Sequence, residues 1–346
     1  MAPQMKQLKI DKGKLAGFLD ELRKGFRVVA PVEKEGLILF EEIDSGGESL
    51  FDFANSRQSP KELFFPQSEV LFSYEYSDGE LQLEESLPEP KQTVIFGMRP
   101  CDAKAVLLLD KVFLQGGCED PNYSKRRDNT IILALACTHL RNTCFCSSLG
   151  GGLFSKEGAD ALFVDIGDSY VVEVLTLKGE ELFKDSKFIE ADEESIKLAE
   201  EVKKKAEALI ESKVEAKRAA DLELSEVFES TFWDRVHEKC LGCGICTYLC
   251  PTCSCFDVVD EKNDSGGERI RIWDPCLFSS YTLQASGFDP RPTGKERMRQ
   301  RILHKFKYSP DSYGEPSCVG CGRCIINCPV NLDIRQVVNS LVGGEG

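Results

Sequence analysis

Long apolar runs are missing from this 346-residue chain. The longest, Ile131 to Cys137, falls well short of the ~20 residues that a membrane-spanning helix needs, so no membrane association is expected. The opening stretch MAPQMKQLKIDKGK holds neither an apolar core nor a small-residue cleavage signature, and no export is expected. Positive charge is in deficit: 43 Lys and Arg stand against 58 Asp and Glu, a net charge of −15. Such a chain repels phosphate backbones, which argues against a nucleic-acid partner. Nucleotide and hydrolase signatures are absent as well. There is no G-x-S-x-G, no Walker sequence and no G-x-G-x-x-G, and Gly150-Gly151-Gly152 lacks the continuation of a dinucleotide site. Only three histidines occur, His139, His237 and His304.

Cysteine is what the chain has in excess, 16 in all. Without an export signal, thiols in a chain this size read as metal ligands rather than disulfides, and the expected setting is cytoplasmic. Their distribution is uneven. None precedes Cys101, five lie between Cys101 and Cys146, and eleven lie between Cys240 and Cys328. Hydrophobic residues make up 42% and charged ones 29%, as in a folded chain with a real core.

The cysteine-poor start reads as α/β with a mixed sheet. Leu15, Phe18, Leu19 and Leu22 have helical spacing. Strands are expected over Phe26–Val32, Leu37–Ile43, Val70–Tyr76, Leu81–Leu83, Thr93–Phe96, Thr130–Ala136, Asp160–Ile166 and Tyr170–Leu177. The hairpin between the third and fourth of these turns at Ser77-Asp78-Gly79. Asp102 reads as the cap of a helix through Ala105, Leu108 and Val112. From Asp192 to Ala220 the chain is rich in Glu, Lys and Ala without Gly or Pro, which predicts one helix, followed by another over Ser225–Lys239. The expected organisation is an α/β domain over 1–191, a helical connector over 192–239 and a two-cluster, ferredoxin-like domain over 240–346 with an insertion between its motifs.

One internal repeat carries the chemistry. Cys240-Leu-Gly-Cys243-Gly-Ile-Cys246-Thr-Tyr-Leu-Cys250-Pro251 is C-x2-C-x2-C-x3-C-P, and Cys318, Cys321, Cys324, Cys328 and Pro329 repeat it. This is the bacterial ferredoxin run for [4Fe-4S] clusters, in which the fourth cysteine serves the other cluster. Four closely spaced thiols followed by proline, given twice, are not the usual zinc pattern. On the ferredoxin pattern Cys240, Cys243, Cys246 and Cys328 form one set, and Cys318, Cys321, Cys324 and Cys250 the other. The fourth cysteine is expected to open a helix whose first turn holds Pro251 or Pro329.

Cys101, Cys137, Cys144 and Cys146 form a looser quartet. If the Thr93 and Thr130 strands are parallel neighbours, their carboxyl ends bring these thiols together where α/β proteins build sites. A third [4Fe-4S] cluster is the favoured reading; the alternatives are zinc, a redox pair, or plain buried thiols. Cys118 reads as a plain thiol. Cys253, Cys255 and Cys276 read either as packing around a cluster or as further ligands. His139 reads as a loop side chain or as a group that tunes a cluster. A basic stretch, Arg291, Lys295, Arg297, Arg299, Arg301, His304, Lys305 and Lys307, is either a solvated helix face or a set of cations that favours reduction of a nearby cluster or docks a partner.

Several segments together carry a resemblance: Pro60-Lys-Glu-Leu-Phe-Phe-Pro66, Gly97-Met-Arg-Pro-Cys101-Asp102, Asp120-Pro-Asn-Tyr123, Cys144-Phe-Cys146, Cys250-Pro-Thr-Cys253-Ser-Cys255-Phe256 and the paired motifs. Over nearly its whole length the chain resembles beta subunits of cytoplasmic NiFe sulfhydrogenases and the corresponding iron-sulfur subunits of anaerobic sulfite reductases. It is also similar to the iron-sulfur subunit of flavin oxidoreductases that feed heterodisulfide reductases. The resemblance implies an electron relay between a flavoprotein partner, which binds FAD and NAD(P)H, and a terminal catalytic subunit. It leaves the terminal enzyme open. A free-standing oxidoreductase with a substrate site near Arg99 and Cys101 is the alternative.

Overall fold

A computed structural model describes residues 6–77, 80–88, 92–184 and 186–343. Its strands are β1 (Gln7–Asp11), β2 (Arg27–Lys34), β3 (Leu37–Glu42), β4 (Ser68–Ser77), β5 (Glu80–Glu85), β6 (Thr93–Met98), β7 (Thr130–Leu135), β8 (Ala161–Asp165), β9 (Ser169–Val174), β10 (Ile189–Glu190), β11 (Phe256–Lys262) and β12 (Gly266–Trp273). Eight of them form one mixed sheet in the order β10-β1-β9-β8-β7-β6-β2-β3. Strands β2, β6, β7 and β8 run parallel, and the flanking pairs are antiparallel. Every residue of β6 is buried, as expected of a central parallel strand covered on both faces. The expected strands are therefore present, and the Thr93 and Thr130 strands are parallel neighbours. Asp78 and Gly79, the expected hairpin turn, lie outside the described residues.

The second sheet joins distant parts of the chain. Its order is β11-β12-β4-β5, all antiparallel, so a hairpin from the insertion between the cluster motifs pairs with one from the first hundred residues. A buried ion pair holds the joint: Arg271 bonds to Glu69 across the ladder and to Asp120.

Three local expectations need correction. Helix α1 (Lys12–Leu22) forms where expected, but α2 (Pro100–Phe113) starts before Asp102, with Arg99 as its cap residue. Pro100, with φ already set for the first helical position, begins the helix three residues earlier than a cap at Asp102 would and frees Asp102 for an ion pair with Arg323. After α3 (Pro121–Asp128) and α4 (Leu177–Phe183), the single connector helix is cut short as α5 (Glu193–Glu207). The following segment is held by tertiary bonds: Val214 N–H donates to Ser148 Oγ at 3.1 Å and Glu215 N–H to Asn339 Oδ1 at 3.0 Å. The chain then continues as α6 (Ala216–Ala220), α7 (Leu224–Phe228) and α8 (Phe232–Val236), not as one helix to Lys239. Trp233 explains the break. It is fully buried, and its indole N–H reaches back to the Val227 carbonyl at 2.6 Å, which requires a turn between α7 and α8.

The third correction concerns the motifs. Short helices α9 (Ile245–Tyr248) and α12 (Arg323–Ile326) hold the third cysteine of each run, and the fourth follows the helix end instead of opening a new helix. Each begins at a left-handed glycine, Gly244 and Gly322, with φ of 72° and 74°. Between them lie α10 (Gly294–Leu303), a wider turn over His304–Tyr308 and α11 (Ser309–Tyr313); α13 (Ile334–Gly343) closes the described chain. No helix among the described residues is long and apolar enough to cross a membrane.

Candidate metal centres

The first motif loop lies near the surface, with Cys243 exposed. Cys240, Cys243, Cys246 and Cys328 line one cavity, whose remaining wall is mostly apolar, including Leu277, Met298 and Ile302. Burial pushes the Cys240 thiol up, and the neighbouring thiols of Cys246, Cys243 and Cys328 add to this. Cys324 lines the same cavity, so the second motif contributes two of its five thiols.

The second loop is buried. Cys318 and Cys321 are enclosed, and burial raises both thiols; Cys250 is an electrostatic neighbour of Cys318, Cys321 and Cys324 alike. Cys250 itself is held below the ordinary thiol range, first by a hydrogen bond from Cys253 and then by the charges of Lys305 and Arg301.

The looser quartet also comes together. Cys101, Cys137, Cys144 and Cys146 line one cavity with Arg99, Gly320 and Cys321. Cys101 lies in the first turn of α2 after β6, and Cys137 follows β7, where its N–H donates to Leu153 O at 2.9 Å. Burial is the largest influence on Cys101, Cys137 and Cys146, and Cys146 is pushed up to about 12. Arg99, 3% exposed, donates from Nη1 to Ala136 O at 2.8 Å and to Leu135 O at 3.2 Å, and from Nη2 to Phe53 O. Its Nε has no partner among the described residues. A buried N–H beside four thiols is the donor that a cluster sulfur would accept.

Among the described residues, no three Cys, His, Asp or Glu side chains are placed to hold a single metal ion.

The three groups are contiguous. Cys324 of the second loop lines the cavity of the first, and Cys321 lines the cavity of the quartet. At the second junction the backbones touch: Phe145 N–H donates to Gly320 O at 2.9 Å. Gly320 has φ of 65°, and a Cβ there would lie 2.6 Å from the backbone nitrogen of Cys146, so only glycine permits the approach. Arg323 secures the same junction through a 2.6 Å bond to Asp102, at 3% and 1% side-chain exposure. It also reaches Ser56 and Asn55.

Of the basic stretch, Lys305 is buried against the second loop, and Arg301 is buried between the first loop, which it bonds, and Cys253. Lys305 Nζ lies 3.4 Å from Cys250 Sγ and donates to Ser317 O at 2.8 Å and Thr252 Oγ1 at 3.1 Å. Arg301 donates to Cys246 O at 3.0 Å and lies 3.7 Å from Cys253 Sγ. Sequence reasoning missed a third cation, Lys61, which no spacing rule links to the cysteines. Its ammonium lies 2.9 Å from Cys253 O and 3.8 Å from the centre of the Trp273 ring, and burial lowers it to about 8. Burial opposes the charge on Lys305 and Arg301 too, yet neighbouring thiols raise both, Cys250 foremost for Lys305 and Cys246 for Arg301. The hydrogen-bond partners of these cations are carbonyl, hydroxyl and sulfur groups. Buried cations without carboxylates are costly unless an anion accompanies them, and a thiolate-bound iron-sulfur core is such an anion.

The other cysteines pack around this wall. Cys276 hydrogen-bonds to Cys255 and holds it down at about 6, with Tyr281 contributing. Cys118 is exposed. His139 is exposed and pairs with Asp52 at 3.0 Å.

A model of the 4Fe-4S dicluster domain matches residues 239–332, which span both motifs. The chain is 30% identical over 343 residues to a protein of Pyrococcus furiosus named sulfhydrogenase 2 subunit beta, covering 98% of this chain and 99% of that one. No solved structure matches the chain.

Proposed function

The chain belongs to the family of sulfhydrogenase beta subunits, and from that premise we propose that it is the iron-sulfur electron-transfer subunit of a cytoplasmic, multi-subunit oxidoreductase. In this reading it relays single electrons between an NAD(P)H-linked flavoprotein carrying FAD and a terminal catalytic subunit of hydrogenase, sulfite reductase or heterodisulfide reductase type. Bound [4Fe-4S] clusters supply one-electron redox chemistry. Cys240, Cys243, Cys246 and Cys328 would hold the first, Cys318, Cys321, Cys324 and Cys250 the second, and Cys101, Cys137, Cys144 and Cys146 a third. The division into 1–191, 192–239 and 240–346 belongs to the same proposal, with the shared sheet tying the outer parts together.

The observation that carries the reading is contiguity: Cys324 faces the first cavity and Cys321 the third, so the second set lies between the other two. The chain's residues then have distinct tasks. Leu277, Met298 and Ile302 form the apolar wall of the first cavity, Gly320 brings the loops into contact, and the Arg323–Asp102 pair locks the quartet to the second motif. The free-standing alternative is less well supported. Arg99 spends both Nη groups on backbone carbonyls and is not offered to a substrate.

The test is iron content and relay in the anaerobically purified chain. Three four-iron sites give about twelve irons per chain. Alanine at Cys101, Cys137, Cys144 or Cys146 is expected to remove about four of them and to slow electron transfer between the partner subunits. About eight irons in the wild type, unchanged in all four variants, would return the quartet to the core. Turnover of a substrate by the isolated chain would favour the alternative.

A further inference from the structure

Two buried cations, Lys305 and Lys61, lie beside Cys250 of the second thiol set, and a third, Arg301, lies between that set and the first, whereas each end of the relay has a different wall. Lys305, Arg301 and Lys61 are 3%, 5% and 4% exposed, and their partners are neutral acceptors and cysteine sulfur. The first set has an apolar wall and an exposed Cys243; Arg301, on the side facing Cys246, is the one cation of the three that also lines its cavity. At the quartet, Arg323 is neutralised by Asp102, which leaves Arg99.

We propose that Lys305, Arg301 and Lys61 make the site of Cys250, Cys318, Cys321 and Cys324 the highest-potential of the three, so that an electron entering from either end comes to rest in the middle. The inference rests on the relay reading above. Reduction of an iron-sulfur core adds one electron, taken from a one-electron donor, to a group that is already anionic through its thiolates. A nearby cation stabilises the reduced form more than the oxidised one. Burial magnifies the effect: at equal distance, a charge interaction at an effective dielectric constant of about 20 is roughly fourfold stronger than in water. At the first site Arg301 is the one cation lining the cavity, and hydration at the exposed Cys243 acts in the same direction. Lys305 acts through the Cys250 ligand and is a positioning residue for charge; it has no contact with substrate.

The experiment is an anaerobic redox titration of the full-length chain followed by electron paramagnetic resonance, with iron counted in each sample. The middle signal is identified as the one lost in both Cys250→Ser and Cys318→Ser. Lys305→Met is expected to weaken its reduced state at least tenfold, a fall of about 59 mV for a one-electron couple, and to leave the other signals in place. Lys305→Arg should restore most of the shift. If Lys305→Met loses iron, Lys61→Met decides, because Lys61 touches no proposed ligand sulfur; a smaller fall in the same signal supports the proposal. An unchanged midpoint at full iron content, or an equal shift of all signals, overturns it and leaves the relay intact. Absence from the wild type of any four-iron signal that depends on Cys250 would overturn the relay reading itself.

Discussion

The two copies of the cluster motif have the same spacing but different surroundings. Locally they match. Gly242 and Gly320 have φ of 67° and 65°, Gly244 and Gly322 have 72° and 74°, and each loop enters a four-residue helix that holds its third cysteine. Yet Cys243 is exposed and its counterpart Cys321 is buried. The first loop rests on aliphatic side chains, and the second is pressed between the quartet and the Lys305 wall. Spacing dictates how each loop curls; what it packs against decides the charge and solvent it meets.

The largest expected effects come from the cysteines proposed to exchange loops. Cys328→Ser should damage the exposed loop's cluster, although Cys328 belongs to the buried motif, and Cys250→Ser should do the converse. Each is expected to remove or convert one cluster of about four irons, checked by iron assay and spectroscopy on anaerobic protein. A cluster that contains both Cys240 and Cys250 would end the exchange and make the two loops independent.

How much of this could be read in advance differs between the same two regions. The eight motif cysteines stood out because regular spacing encodes their loop. Cys101, Cys137, Cys144 and Cys146 were legible only through the parallel pairing of β6 and β7, which hydrophobic runs reveal but spacing does not. Their meeting with Cys321 was hidden, because it depends on a glycine, Gly320, whose close approach exists only in the folded chain. Lys61 was hidden for the same reason: 192 residues separate it from the Cys253 carbonyl it holds. The connector showed the limit of composition. A run rich in Glu, Lys and Ala favours helix, but Trp233 burial and the tertiary bonds of Val214 and Glu215 outweigh a per-residue preference of tenths of a kcal/mol.

A smaller effect is expected where the buried loop is locked in place. Arg323→Met leaves Asp102 charged and enclosed, which costs about 3–5 kcal/mol in equilibrium urea unfolding. Adding Asp102→Leu should recover much of that, because the penalty is the stranded charge and not the loss of a net attraction. The exposed loop has Ile245 at the equivalent position and no such pair. A loss below about 1 kcal/mol for the single variant, as for surface ion pairs, would show that water reaches the junction.

The smallest change isolates the comparison most cleanly, since Gly242 and Gly320 occupy the same motif position and the same left-handed conformation. Alanine at either site carries the backbone cost of that conformation, about 1–2 kcal/mol. At Gly242 that is nearly all, because the nearest atom to the new methyl is Leu277 O at 3.5 Å, an ordinary contact. At Gly320 the methyl would also meet Cys146 N at 2.6 Å and Phe145 C at 2.6 Å, both backbone atoms that cannot swing aside. Gly320→Ala must therefore push the two loops apart. It should cost more stability than Gly242→Ala, disturb the signal that depends on Cys146, and slow transfer between the middle site and the quartet. Gly242→Ala should keep full iron content and a near-normal relay. Paired unfolding curves and iron assays on the two variants make the comparison. Equal losses would mean that the loops differ only in exposure, and that the contact between Gly320 and Cys146 plays no part in joining the second site to the third.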